Sequence, residues 1–167
     1  MVITIKDQDN RFGVRVAALI FNHDMSKIFM QKQKDHDYYM FPGGRLEINE
    51  DAETAILREL DEELGINEDV KLKYIIENFI KFPNNKKYHE IGFYFVIKID
   101  EQKYNYELEK VYSSLDEEND GSSEFVWISN DELENYKVMP NFMVEKIVKN
   151  NFNNNDNIVE HLVYKEY

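Results

Sequence analysis

Cysteine is absent from the 167 residues, which excludes disulfides, zinc–thiolate sites and thiol nucleophiles. Long apolar runs are missing too, and no stretch approaches the ~20 residues that cross a bilayer. Positive charge is scarce: 20 Lys+Arg stand against 33 Asp+Glu, a net charge of −13. General nucleic-acid binding needs a basic face that displaces counterions, so that class is not expected. A single nucleotide held through a cation is not excluded, and a polyanionic substrate would need cations to bridge it. After Met1, the stretch VITIKDQDNRFG has neither the basic region nor the apolar core of a signal peptide. The expectation is a cytoplasmic protein with no membrane partner. There is no P-loop, Ser-His-Asp set or internal repeat, and His23, His36, His89 and His161 show no ligand spacing.

What is present suits one folded domain over residues 1–167, with a core from about 12 to 149. Hydrophobic residues make up 43% and aromatics 14%, enough to build a sizeable core. Phe12–Phe21 reads as a buried strand, and Lys27–Lys34 as its hairpin partner across Asn22-His23-Asp24. Phe41-Pro42-Gly43-Gly44 interrupts regular structure. A helix follows over Glu50–Leu64, with Asn49 as N-cap, Glu50 and Asp51 in its first turn, and Gly65 as its stop. Leu72–Phe82 and Glu90–Ile99 read as strands. The acidic loop Ser113–Glu124 leads to a short strand, Phe125–Ser129. Asp131–Tyr136 and Pro140–Lys149 read as helices, with Pro140 opening the second. Asn150–Asn157 reads as a solvated turn and Ile158–Lys165 as a terminal strand. Strands on both sides of helices indicate a mixed sheet covered on both faces.

The helix carries the chemistry. Ala52, Ile56, Leu60 and Leu64 form its core-facing stripe. Glu62 and Glu63 lie about 60° and 40° to either side of Glu59, so three carboxylates crowd one edge. They sit near the C-terminal end, where the helix dipole disfavours negative charge. A solvated acidic face is the plain alternative. The unfavourable helix end, and a glycine pair able to present carbonyls nearby, favour a cation site instead. Oxygen-only ligands indicate magnesium or manganese more than zinc. Arg58 can reach Glu62 at i,i+4 and orient it; an ordinary surface ion pair would be worth at most about 1 kcal/mol.

Gly44, Glu50, Arg58, Glu59, Leu60, Glu62, Glu63, Gly65 and Ile66 fill every specified position of G-x5-E-x7-R-E-U-x-E-E-x-G-U, with U a bulky aliphatic residue. The segment therefore resembles the Nudix box, and the similarity extends more weakly over Phe12–Lys149. That resemblance implies an α/β Nudix fold, an α/β/α sandwich around a mixed β-sheet with a loop-helix-loop. It further implies a Mg2+- or Mn2+-dependent enzyme that hydrolyses a pyrophosphate bond in a nucleoside diphosphate joined to another moiety. Glu59, Glu62 and Glu63 would be metal ligands together with the Gly43 carbonyl. Glu59, Glu62 and Arg58 would be the catalytic residues, and Gly44, Glu50 and Gly65 would brace the box, with Glu50 paired to Arg58. The general base could be Glu59 or a loop acid outside the box.

Outside the box the candidates are substrate contacts with structural alternatives. Lys32 could meet phosphate or simply face solvent from its strand. Arg15, in an otherwise apolar strand, must find a partner or an exposed face; a structural ion pair is favoured over a substrate contact. Glu90 could point into the cleft or cap its strand. In the acidic loop, Glu118, Asp120 and Glu124 are further candidates, with Glu124 favoured because it adjoins Phe125–Trp127. Those two aromatics suit core packing better than base stacking. Some ADP-ribose hydrolases of the family place a proline about sixteen residues beyond the box; Pro83 falls one position further on. A nucleotide sugar or ADP-ribose-like substrate is expected, with an 8-oxo-purine nucleoside triphosphate as the alternative. A non-catalytic nucleotide sensor is disfavoured because every box glutamate is kept. The resemblance leaves a homodimer open, with no interface identifiable.

Overall fold

The computed structural model describes residues 1–82, 84–116, 122–149, 152 and 157–166. Ten strands, β1 (Thr4–Asp7), β2 (Asn10–Phe21), β3 (Lys27–Gln33), β4 (Tyr39–Met40), β5 (Lys71–Lys81), β6 (Lys87–Lys98), β7 (Val111–Ser113), β8 (Ser123–Ser129), β9 (Val138–Met139) and β10 (Glu160–Lys165), build one mixed sheet. Helix α1 is Ala52–Leu64 and α2 is Phe142–Lys149, with a 3-10 helix at Asn130–Asn135. Pro83, Glu118, Asp120 and most of the Asn-rich turn lie outside the described residues.

Strand β2 organises the sheet because Val16 to Phe21 are all buried, the continuous apolar run of a strand covered on both faces. It runs parallel to β6 along its whole length, from Asn10↔Lys87 to Phe21↔Lys98. The expected hairpin with β3 is much shorter than the sequence suggests, pairing only Ile20↔Phe29 and Phe21↔Ile28. Beyond Phe29, β3 leaves β2, while its other edge pairs with β8 over the whole of Lys27–Gln33. The glycine loop takes its place against β2. Ala18 N–H donates to Pro42 O at 2.8 Å, Val16 N–H to Gly44 O at 2.9 Å, and Leu46 N–H to Val14 O at 3.1 Å. The sheet therefore opens between β2 and β3, and the loop floors the opening.

Alternate residues of β2 feed two cores. Val16, Ala18 and Ile20 pack with Ile56 and Leu60 of α1. Ala17, Leu19 and Phe21 pack on the other face with Met143 and Ile147 of α2. Phe125 and Trp127 join the α1 core, Trp127 stacking on Phe29 at 4.6 Å. They are packing residues, as their alternation implied.

Several element boundaries differ from expectation. The N-cap of α1 is Asp51, not Asn49: its carboxylate accepts the Glu53 and Thr54 N–H groups, both at 3.0 Å. Asn49 takes a left-handed φ of 68° in the preceding turn, leaving Glu50 outside the helix and free to face Arg58. Gly65 ends α1 with φ 62°, its N–H reaching Asp61 O at 2.9 Å while Ile66 N–H reaches Leu60 O at 3.1 Å. Helix α2 begins at Phe142 rather than at Pro140. The turn before it bonds Met143 N–H to Pro140 O and Val144 N–H to Asn141 O, at 3.2 and 3.1 Å.

Candidate active site

Glu59 and Glu63 stand one turn apart on α1, on the side that faces the opened sheet. Both line a cleft of about 890 Å³, with Gly43, Gly44, Arg15 and Gln31 among its walls. Glu63 is only 6% exposed. Its Oε1 accepts a hydrogen bond from Gln31 Nε2 at 3.3 Å, while Oε2 is buried without a partner. Burial, followed by repulsion from Glu59, pushes the Glu63 pKa up to about 8. Burial also raises the Glu59 pKa, opposed by its hydrogen bond from Arg58. A buried carboxylate with an unpaired oxygen is costly, and a cation between the two acids would remove that cost.

The glycine loop makes the approach close. A Cβ at Gly44 would lie 2.2 Å from the Glu59 carboxylate, so that side chain rests directly on the loop. Gly43 has φ 136°, and a Cβ there would meet Val16 O at 2.3 Å. Neighbouring carbonyls are spent on β2, but among the described residues no backbone donor takes the Gly43 carbonyl.

Arg58 links loop and helix. It forks onto Glu50, and its Nη1 also donates to Glu59 Oε1 at 2.9 Å and Glu62 Oε2 at 3.2 Å. Nη2 reaches the Arg45 carbonyl at 3.3 Å. The Glu62 side chain is 52% exposed on Arg58 and does not line the cleft. Among the described residues no three His, Cys, Asp or Glu side chains converge as a ready metal cluster. Magnesium, however, is commonly held by one or two carboxylates, with water and substrate phosphate completing its shell. The pair Glu59–Glu63, with its orphaned oxygen and Gly43 lining the same cleft, fits that group.

The remaining sequence candidates divide. Arg15 and Glu90 line the cleft. Arg15 Nη2 donates to Phe41 O at 3.3 Å, and although burial opposes its charge, Glu90, Tyr94, Tyr88 and Glu63 hold its pKa up. Glu90 is 9% exposed and lies within β6 rather than at its start. Lys32 and Glu124 face each other across β3–β8, on the side opposite Gln31 and Ser123, and neither lines the cleft. Lys32 instead sits over the Tyr39 ring, 5.4 Å from its centroid.

Sequence reasoning passed over Gln31 and Ser123, which are 3% and 2% exposed and bonded to each other at 3.2 Å. The signal was a polar residue at an inward position of an apolar strand. Tyr88 was missed as well. It lines the cleft over Gly13, where a Cβ would meet its hydroxyl at 2.7 Å.

The NUDIX domain family model matches residues 11–146. The chain belongs to the Nudix family. This Nudix domain is 31% identical to an RNA pyrophosphohydrolase of Blochmanniella pennsylvanica over 80 residues, covering 47% of the chain and 51% of the relative. It is 40% identical to an 8-oxo-dGTP diphosphatase of Proteus vulgaris over 58 residues, 32% of the chain and 52% of that protein. The chain thus spans about half the length of the curated relatives it matches. A MutT protein from Bacillus halodurans superposes with TM-score 0.64 at 15% identity, covering 92% of this chain and 91% of its own. That likeness shows the fold, an open mixed sheet with few helices. No described helix is long and apolar enough to cross a membrane.

Proposed function

We propose that this Nudix domain hydrolyses a phosphoanhydride bond in a nucleoside diphosphate joined to another moiety, such as a nucleotide sugar or an ADP-ribose-like molecule. The observation that carries the reading is the buried Glu63 beside Glu59, with one oxygen unpaired, at the mouth of a glycine loop. Glu59, Glu63 and the Gly43 carbonyl would hold Mg2+ or Mn2+, with Glu62 able to join by swinging from Arg58. When bound, such an ion neutralises phosphate charge and activates water for attack at phosphorus.

The chain's own residues supply orientation and charge balance. Arg58 fixes the Glu59 carboxylate against Gly44, and Gln31 fixes one oxygen of Glu63. Arg15, which lines the same cleft, would meet a substrate phosphate. As general base, Glu59 would accept a proton from the attacking water.

An 8-oxo-purine nucleoside triphosphate is the second reading, favoured by the Proteus relative's 40% identity over 58 residues. The test is a turnover panel of nucleotide sugars, ADP-ribose, dinucleotides and (deoxy)nucleoside triphosphates, with Mg2+ or Mn2+. Magnesium-dependent release of a nucleotide from a diphosphate-linked compound is the expected result. Hydrolysis confined to oxidised purine triphosphates would select the second reading, and tight binding without hydrolysis would make the domain a sensor.

A further inference from the structure

The far end of the same cleft is basic, against the charge of the chain as a whole. Lys6 and Arg11 are direct cross-strand partners on β1 and β2, and both line the cleft with Arg45 and Lys86. Like charges facing each other across a strand pair are destabilising, and a bound anion would relieve that repulsion. Among the described residues no carboxylate forms an ion pair with Lys6, Arg11 or Lys86; Asp9 lines the cleft beside them without bonding any. Arg11 is held with its guanidinium 5.2 Å from the Tyr88 ring centroid, and its Nε is shielded from solvent without a hydrogen-bond partner. Arg45 is positioned by Thr4, whose hydroxyl accepts from Nη1 at 2.8 Å.

The spacing limits what the anion can be. Arg11 and Arg15 lie on one face of β2 with Gly13 between them, and Arg15 stands by Glu63. Four residues of strand, at about 3.3 Å each, separate their Cα atoms by ~13 Å. That is much further than neighbouring phosphoryl groups that share one bridging oxygen. It suits a phosphate on the other side of a nucleoside from the bond being cut.

We infer that Lys6, Arg11 and Lys86 form a second anion subsite, which takes a phosphate ester on the substrate's ribose or a phosphodiester continuing from it. The inference rests on the hydrolase reading for which bond is cut, but binding at the subsite is separable from turnover. Selected substrates are then nucleoside di- or triphosphate derivatives that carry one further, distal phosphate.

Two matched pairs distinguish the sources of that phosphate: coenzyme A against its dephospho form, and a 5′-triphosphorylated adenosine dinucleotide against ATP. At least one phosphate-bearing member should exceed its partner in kcat/KM by about tenfold, mainly through KM, the scale of one charge-assisted hydrogen bond set. In Arg11→Gln, and separately in Lys86→Gln on the β5–β6 turn, that ratio should fall toward one. Equal turnover of both members in each pair, or a ratio that survives both substitutions, overturns the subsite and leaves the hydrolase reading standing.

A binding arm needs no turnover. Calorimetric titration of adenosine 3′,5′-bisphosphate and of AMP, with EDTA present, should show the bisphosphate binding more tightly in the unsubstituted protein only. Retained bisphosphate selectivity with no hydrolysis of any substrate would overturn the hydrolase reading instead. No preference over AMP would overturn the subsite.

Discussion

Glu50 and Arg58 are joined by two parallel hydrogen bonds, Nε to Oε1 at 2.8 Å and Nη2 to Oε2 at 3.0 Å. Glu50 precedes α1 and Arg58 lies in its second turn, so the pair ties the glycine loop to the helix that carries the acids. The Glu50 carboxylate also accepts the Glu47 N–H at 3.1 Å. Arg58, above all, holds its pKa below the usual carboxylate value. The charge contributed by Glu50 therefore stabilises the fold above that usual value, and the contribution is lost as pH falls through the lowered one.

Arg58→Lys should break this geometry while keeping the charge. A lysine offers a point charge and cannot span both oxygens of Glu50 while also reaching Glu59. The expected loss is about 1–3 kcal/mol in urea unfolding, with turnover falling by a larger factor because Glu59 is no longer held. Wild-type stability and turnover in this variant would show that the fork is dispensable.

Gly43 and Gly44 should respond differently to alanine. At Gly44 the colliding atoms are the end of the flexible Glu59 side chain. The fold can yield there, so unfolding should shift by less than about 1 kcal/mol while turnover collapses with the displaced carboxylate. At Gly43 the obstacle is the Val16 carbonyl at 2.3 Å, with φ at 136°. Backbone must move, and Gly43→Ala should cost about 1–3 kcal/mol or more. Thermal melts and turnover on both variants would check the contrast; equal stability losses would contradict it.

The helix, its glycine stop and the buried β2 were legible because each rests on a local rule: an apolar stripe, a left-handed C-cap, a continuous apolar run. The site's axis was legible for the same reason, since Glu59 and Glu63 share a helix face by spacing alone. What sequence could not convey was the departure of β3 from β2. That split depends on the glycine loop outcompeting β3 for the Val16 and Ala18 N–H groups, a long-range choice without local periodicity. The split in turn decides which side of β3 faces the cleft. Gln31 therefore meets Glu63 while Lys32 turns away. The shift of the N-cap from Asn49 to Asp51 is of another kind: both are good capping residues, and only the left-handed turn at Asn49 selects between them.

Gln31 gives a way to test the support beneath Glu63. Its amide donates to Glu63 Oε1 and to Ser123 Oγ from a buried position. Gln31→Leu keeps the volume and removes the donor that favours the charged acid. Glu63 should then ionise at higher pH, moving the acid limb of the magnesium-dependent pH–rate profile upward by about one unit, or ~1.4 kcal/mol. An unmoved profile would mean that the Gln31 contact does not set the charge of Glu63.

Glu63 itself should make cation-free stability depend on pH in an unusual direction. Its pKa rises from 4.5 in the unfolded chain to about 8 in the folded one. Between those values the folded state binds a proton that the unfolded state does not, so stability falls as pH rises through this window. The slope contributed by this group is at most about 1.4 kcal/mol per pH unit, and it vanishes in Glu63→Gln. Unfolding of both proteins in EDTA at pH 5, 6.5 and 8 would isolate it, since other titrations cancel in the difference. Magnesium reverses the sign of the argument. A bound cation favours the ionised carboxylate and releases its proton, so apparent affinity should climb toward pH 8. At a hundredfold excess over Kd the ion should add about 2.7 kcal/mol of stability, and Glu63→Gln should lose most of that gain together with turnover. If the variant were stabilised by magnesium as strongly as the wild type, the ion would be bound elsewhere and the carboxylate pair would not be the metal centre.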